Sequence, residues 1–301
     1  MRELKYVVPP DCHGMTVKDF ARNRLGFSAR MLTRQKQQER GILKNGDFCR
    51  TVDILSAGDI LVFSLPEEGR SYQPEPVPLS VLWETEDYLA VEKPPGMPVH
   101  PSPGHDRDSL LNAVAYYYET TGQIHLFRPL YRLDRDTSGI VLLGKHRAAV
   151  SSAVVEKRYY GVCEGVLSGE GTIDIPIGLQ PGSKIVRTCG TGKSAVTHWK
   201  ALKSRDNHTL LSFRLDTGRT HQIRAHMAYL HHPLAGDDLY GGSRKIIARQ
   251  ALHCGWVSLK NPALAVKLEI ISEFSSDIRA AFPWLPELRG EKREEPVCPL
   301  V

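Results

Sequence analysis

No apolar run in this 301-residue chain is long enough to span a bilayer, so a membrane-spanning helix is not expected. The opening segment MRELKYVVPP lacks the apolar core of a secretory leader. Cysteine is present but unorganised. Cys12, Cys49, Cys163, Cys189, Cys254 and Cys298 form no C-x-x-C pair, which removes zinc-ligand spacing, and nothing resembles a disulfide framework. A reducing, cytoplasmic setting is the expectation that follows. There is no internal repeat and no regular βαβ spacing, which disfavours solenoids and doubly wound sheets. Charge of one sign is not in large excess either. Lys and Arg number 39 against 34 Asp and Glu, a net of +5 that decides little alone.

What is present is unevenly placed. Lys18, Arg22, Arg24, Arg30, Arg34, Lys36, Arg40, Lys44 and Arg50 crowd the first fifth of the chain, and between Lys18 and Arg50 they are opposed by Asp19, Glu39 and Asp47. A basic, helix-compatible segment suits a polyanion, although a solvated helix face has the same composition. Within it, Val17, Phe20, Leu25, Met31 and Leu32 mark two helices interrupted near Gly26-Phe27-Ser28, with Ser28 placed to cap the second. Asn45-Gly46 reads as a tight turn, and Ala57-Gly58-Asp59 precedes the strand-like run Ile60 to Phe63. Residues 12–66 are therefore expected to form a small helix-pair and hairpin module. Residues 67–78 carry prolines and no apolar period, and are expected to be a semi-extended linker.

Beyond it, with hydrophobic residues at 41% and charged residues at 24%, a folded domain is expected over 79–288, followed by a disordered tail over 289–301. Strand-like runs occur at 81–83, 88–91, 140–143, 159–162, 210–215 and 266–270, and helix-like ones at 109–118 and 221–230. Their irregular alternation predicts an α+β fold, with a mixed, largely antiparallel sheet and flanking helices.

Four constellations carry candidate chemistry. In the first, Tyr131-Arg132-Leu133-Asp134-Arg135-Asp136-Thr137-Ser138-Gly139 runs into the apolar stretch Ile140 to Leu143. A carboxylate before a buried strand would be neutralised unless cations hold it ionised. A plain turn explains the same residues. In the second, Asp216-Thr217-Gly218-Arg219-Thr220-His221-Gln222-Ile223-Arg224-Ala225-His226 is a strand end followed by a helix whose start suits an anion, or else a surface helix with core histidines. His221 and His226 are five positions apart, the wrong spacing for one helix face, so no metal site is expected. In the third, Lys157-Arg158-Tyr159-Tyr160 interleaves cations with aromatics, which fits base stacking or an edge strand with one ring tucked inward. Residues 231–241 and Arg249-Gln250-Ala251-Leu252-His253 read as ordered loops without a derivable mechanism.

Taken in order, these pieces resemble the RluA-type family of pseudouridine synthases. Residues 131–139 match its H-R-L-D-x-x-T-S-G motif, and residues 217–226 match T-G-R-T-H-Q-I-R-x-H, followed by its G-D-x-x-Y-G. Lys157 and Tyr159 fit K-x-Y, residues 93–101 its K-P-x-G-x-x-V-H-P opening, and Arg249 to His253 its R-Q-x-L-H. The likeness spans roughly residues 82 to 275. It implies a mixed-sheet catalytic domain, with Asp134 as the catalytic aspartate, Arg224 its ion-pair partner and Tyr159 stacked on the target base. Arg132, Thr137, Arg219, His221 and Gln222 would meet substrate. Residues 12–66 resemble an alpha-L RNA-binding module, placing Arg30, Arg34 and Lys36 against RNA. Two departures stand out. Tyr131 replaces the motif's usual histidine, and the stretch from Lys145 to Lys157 is shorter than usual.

The reaction so implied breaks the bond between ribose C1′ and the uracil nitrogen, then rejoins C1′ to C5. No atoms are gained or lost, so no cofactor is expected. An ionised Asp134 would stabilise charge on the sugar or bond to it. Tyr159 is a candidate acceptor for the C5 proton. The expected partner is ribosomal or transfer RNA, not a membrane, and the expected state is a monomer. Two other readings share the residues: a binding-only descendant without catalysis, and a glycosidase-like hydrolase pairing Asp134 with Asp136 or Asp237.

Overall fold

The computed structural model describes residues 2–38, 40–65, 73–102 and 104–288. The expected tail lies outside the described residues, as does the first half of the expected linker.

The basic N-terminal part folds around one four-stranded sheet. Its strands are β1 (Arg2–Val7), β2 (Ile42–Lys44), β3 (Asp47–Phe48) and β4 (Ile60–Leu65), in the order β1-β4-β2-β3, all neighbours antiparallel. Asn45 and Gly46 both take positive φ (55° and 94°), so the β2–β3 hairpin closes with the two-residue turn that Asn-Gly favours. The Asn45 amide donates to Asp59 and its carbonyl accepts the Ile60 N–H, which ties that turn to the start of β4. Helix α1 (Val17–Asp19) continues as a π-helical turn over Phe20–Arg24, and α2 (Ala29–Lys36) begins after Ser28, whose hydroxyl accepts the Met31 N–H at 3.2 Å. β1 precedes the 12–66 segment in sequence. It reads poorly as a strand because Arg2, Glu3 and Lys5 interrupt its apolar residues.

This unit is not suspended on its linker. Its buried cluster of Phe20, Phe27, Met31, Leu55 and Phe63 also takes in Ala148 and Ala263 of the larger domain. A Cβ on Gly26 would meet Ser152 at 3.3 Å.

The larger domain is built on a nine-stranded sheet. Its first members are β5 (Ser80–Glu84), β6 (Tyr88–Lys93), β7 (Ser138–Gly144), β8 (Val154–Glu164) and β9 (Glu170–Asp174). A separate hairpin pairs β10 (Ile177–Leu179) with β11 (Arg187–Cys189). The large sheet resumes with β12 (Val196–Arg205), β13 (His208–Leu215), β14 (Leu252–Asn261) and β15 (Val266–Ile271). Its order is β5-β6-β7-β14-β8-β13-β12-β9, with β15 on β14. Only β7 against β14 is parallel, so the sheet is mixed and largely antiparallel, as the irregular spacing predicted. Helices α3 (Leu110–Thr120), α4 (Arg147–Ser151), α5 (Gln222–Tyr229) and α6 (Ser276–Ala281) flank it. The Ser109 hydroxyl caps α3 by accepting the Asn112 N–H. The five residues of α4 are all the helix that the short 145–157 stretch accommodates. Among the described residues no helix is long and apolar enough to cross a membrane.

Two sequence expectations are corrected. Arg249 to His253 is not purely loop, because Leu252 and His253 open β14, a strand buried at the centre of the sheet. β8 is not an edge strand but lies between β14 and β13. β14 is covered on both faces along most of its length, which removes the alternation by which strands are read, whereas β8 is buried only in its second half.

Gly139 shows how tightly β7 and β14 meet. Its φ is 114°, and a Cβ there would stand 2.3 Å from the Cys254 carbonyl oxygen, a backbone atom with no room to give. The contact fixes the start of β7, and with it the loop that immediately precedes.

Candidate active site

That loop carries Asp134. The Thr137 N–H returns to the Asp134 carbonyl at 3.1 Å, closing a turn, while Leu133 and Thr137 point into the protein. Two buried cations hold the loop by its backbone. The Lys93 ammonium donates to the carbonyls of Pro94, Met97 and Arg135, each at 2.8 Å. The Arg249 guanidinium donates to the Asp136 carbonyl at 2.8 Å and is itself fixed by both oxygens of Asp277. Behind the loop the Ser138 hydroxyl lies 3.0 Å from Nδ1 of fully buried His253. Burial lowers the Lys93 pKa to about 7 and that of His253 to about 4. His253 is thus a neutral spacer with its Nε2–H on the Ser272 carbonyl.

Asp134 is recessed yet reachable, its side chain retaining 25% exposure. Burial raises its pKa. Arg224, the backbone N–H of His221, Lys93 and Arg132 each pull it down, and together they do not cancel the desolvation. The cations expected to keep this carboxyl ionised do pull its pKa down, but burial outweighs them and leaves it above the ordinary value. In the free protein burial thus disfavours the ionised form.

Arg224 comes from α5. Its Nη1 stands 3.8 Å from Asp134 Oδ2, so the predicted pair is brought together, but loosely. The tight partner is Asp237. Nε and Nη2 of Arg224 meet its two oxygens at 2.7 Å each, a bidentate fork around a carboxylate with no exposure at all. The Arg224 guanidinium also lies over the Tyr240 ring, 5.0 Å from its centroid.

Tyr159 is buried on β8, opposite Cys254 of β14. Burial raises its phenol pKa well above the ordinary value, and the charge of Asp134 adds to the rise. The phenol therefore stays protonated at neutral pH, which disfavours the proton-acceptor role in the free protein. Tyr131, where the motif has histidine, turns its hydroxyl onto the Ile140 carbonyl at 2.9 Å and offers its ring to the Lys157 ammonium at 4.6 Å.

The other predicted residues divide into two groups. Arg132 and Arg219 are exposed, with Arg132 close enough to influence Asp134 and Arg219 resting its Nε on the Ser194 carbonyl. His221 precedes α5 in the left-handed conformation (φ 58°), which aims its N–H at Asp134. Its ring Nδ1 lies 3.0 Å from the Tyr240 hydroxyl, and its pKa falls to about 4, chiefly by burial. By contrast Thr137 is buried, and every hydrogen-bonding valence of the Gln222 amide is used inside the protein. Those two act on the scaffold. His226 spends both ring nitrogens on Thr197 and Ile175, and no metal-holding cluster occurs among the described residues. Arg30 and Arg34 lie on α2, and Lys36 at its end is exposed.

Three residues of this site were not singled out by sequence: Lys93, Asp237 as the clamp of Arg224, and Arg249. Lys93 did carry a signal, a lone cation ending the apolar run Tyr88 to Val91.

Residues 87–229 match the family described as RNA pseudouridylate synthase. An RNA pseudouridine synthase of Bacillus subtilis, YjbO, itself called uncharacterised, is 44% identical over 259 residues, covering 82% of this chain and 91% of that protein. The chain belongs to the RluA-type RNA pseudouridine synthases. The ribosomal large subunit pseudouridine synthase D of Pseudomonas aeruginosa is 33% identical over 83% of this chain and 84% of its own length. Among solved structures, human RNA pseudouridylate synthase domain containing 1 shares the fold, with a TM-score of 0.55 and 24% identity over 67% of this chain and 86% of that one. As a member of this family of isomerases, the protein has a reason for its unusual arrangement. Asp134, Tyr159 and the His221–Arg224 pair converge from three separate segments, the first held by the buried Lys93 and by Arg249 and the last by the bidentate Asp237 clamp.

Proposed function

We propose that this pseudouridine synthase acts on uridine in ribosomal RNA, with Asp134 as the group that faces ribose C1′. The observation that carries the role of Asp134 is its recessed, partly open carboxylate, 3.8 Å from a guanidinium that another carboxylate holds in place. Cleavage of the C1′–N1 bond builds positive charge on the sugar, and a destabilised carboxylate gains most from meeting it. The electron pair of that bond leaves with N1. Reattachment through C5 then releases the C5 proton, while N1 takes one up. The Pseudomonas relative is a ribosomal large subunit pseudouridine synthase, which favours ribosomal over transfer RNA.

The remaining roles follow from placement. Tyr159 supplies a ring beside Asp134, and stacking of a flipped base is worth roughly 1–3 kcal/mol, enough to offset much of the cost of extrusion. Exposed Arg132 and Arg219 contact the strand. The hydrolase reading fits poorly, because Asp237 is locked by Arg224 and Asp136 is engaged by Arg135. Purified protein is expected to release tritium from large-subunit ribosomal RNA bearing C5-tritiated uridine. RNA binding without release, across total cellular RNA, would instead favour a descendant that only binds.

The N-terminal unit is read as an alpha-L-like RNA-binding module. Its support is the basic excess, the helix pair and the exposed Lys36. Because it shares a core with the larger domain, deletion is a poor test. Neutralising Arg30, Arg34 and Lys36 together to Gln is expected to flatten the plot of log affinity against log salt by about 2, at roughly 0.7 per phosphate contact. An unchanged slope would count against the module.

A further inference from the structure

The β10–β11 hairpin holds an arginine whose environment the scaffold does not explain. The hairpin packs on α5, where Ile177 and Cys189 meet Ala225, next to Arg224 in the chain. Arg187, at the start of β11, donates its backbone N–H to the Tyr240 hydroxyl at 2.9 Å. The same hydroxyl touches His221 Nδ1, and the same ring lies under Arg224. Arg187 is therefore tied through one tyrosine to the two residues that flank Asp134.

Its side chain stands differently from those of its neighbours. Arg224 has Asp237, Arg249 has Asp277, and Lys93 has three carbonyls. The Arg187 guanidinium meets no carboxylate among the described residues, and its Nε is buried without any hydrogen-bond partner. Its charge still reaches the site, because it is one of the causes that lower the His221 pKa. A buried guanidinium N–H with no acceptor is costly, and such a group in a native fold calls for an explanation. A hairpin of three-residue strands gives no structural reason to keep it.

We infer that Arg187 is a substrate-binding residue that grips a phosphate of the RNA strand beside the flipped uridine. The inference rests on the RNA-modifying reading above. Arg187 as a whole is half-buried, so a turn of its side chain brings the buried Nε to a ligand; the guanidinium then presents Nε and Nη in one plane, matching two oxygens of a phosphodiester, and one ligand satisfies both the orphaned N–H and the unpaired charge. Anchoring on the Tyr240 hydroxyl fixes the distance from that phosphate to the His221–Asp134 end of the site.

Affinity, not turnover, is the direct readout. Full-length wild type, Arg187→Gln and Arg187→Lys are titrated with an unmodified large-subunit ribosomal RNA transcript over a range of salt. Arg187→Gln is expected to raise Kd about 5- to 10-fold at moderate salt and to reduce the slope of log affinity against log salt by about one. Arg187→Lys, which keeps the charge but not the fork, is expected to restore the slope and only part of the affinity. A slope that is unchanged in the Gln variant, or not restored by Lys, overturns the phosphate contact, including the case where affinity falls with no change in slope. Tritium release by the wild type, measured alongside, reports separately on the synthase reading. Its failure would leave the salt slopes to decide Arg187 alone.

Discussion

Asp134→Asn is expected to abolish tritium release, a fall of at least about 10³-fold, or roughly 4 kcal/mol of transition-state stabilisation. It is also expected to raise the thermal midpoint. Both follow from one feature, a carboxyl group whose pKa burial lifts above the ordinary carboxylate value despite three nearby cations and one N–H. Between the unfolded and folded values, the native protein still binds a proton that the unfolded chain has released. Stability therefore falls as pH rises through that window, and stays lowered at neutral pH. Asparagine is neutral throughout and can still accept the His221 N–H, so it escapes the loss. The gap in midpoint between variant and wild type should close at a pH below the ordinary carboxylate range, where both side chains are uncharged. By the same sign, the acid limb of wild-type kcat/KM should lie above the ordinary aspartate range, because the ionised form does the work. An Asn variant less stable than wild type at neutral pH would mean that the carboxylate is held comfortably, and the argument for its reactivity would fail. The trade is a familiar one, with stability given up where charge must be kept waiting.

Much of the frame behind this site could be read from residue order alone. The Asn45-Gly46 turn and the helices over 110–120 and 222–229 appear where turn chemistry and 3.6-residue spacing place them. β14 did not declare itself. It is buried on nearly every residue, and its register slips between Cys254 and Trp256, so any alternation changes phase midway. β12 was hidden for the opposite reason. Its last four residues, Leu202 to Arg205, are exposed whichever face they take, and a second slip falls between Ala201 and Lys203. In the site, the motifs located Asp134 and Arg224 but not the strength of their contact. A bidentate clamp and a 3.8 Å approach look identical in one dimension. That Asp237 holds Arg224, while Asp134 is merely near it, depends on where residues 231–241 carry the second carboxylate. Nothing in the sequence pattern of that loop specifies it. The resemblance places Gln222 and Thr137 against substrate, whereas in the fold Gln222 is engaged by internal hydrogen bonds and Thr137 is buried, and hydrogen bonds that consume a side chain leave no trace in spacing.

Arg224→Met should be the most disruptive single change in the site, and its pattern with Asp237 separates folding from chemistry. The buried Asp237 would lose both of its hydrogen bonds to the fork and its counter-charge together. Breaking a buried pair from one side destabilises by roughly 3–5 kcal/mol, because an uncompensated charge remains. For a domain of this size that lowers the thermal midpoint by roughly 10 °C. Arg224 is also the largest charge favouring ionised Asp134, so its removal lifts that pKa further and moves the acid limb upward. A lysine in its place cannot span both Asp237 oxygens and recovers little. The double variant Arg224→Met, Asp237→Leu decides what the pair is for. Replacing a whole buried ion pair with apolar side chains is close to neutral, so the midpoint should return to within a few degrees of wild type. Tritium release should not return, because Asp134 still lacks its guanidinium. A double variant that is both stable and active would show that Arg224 serves only to neutralise Asp237, and that Asp134 manages its charge without it.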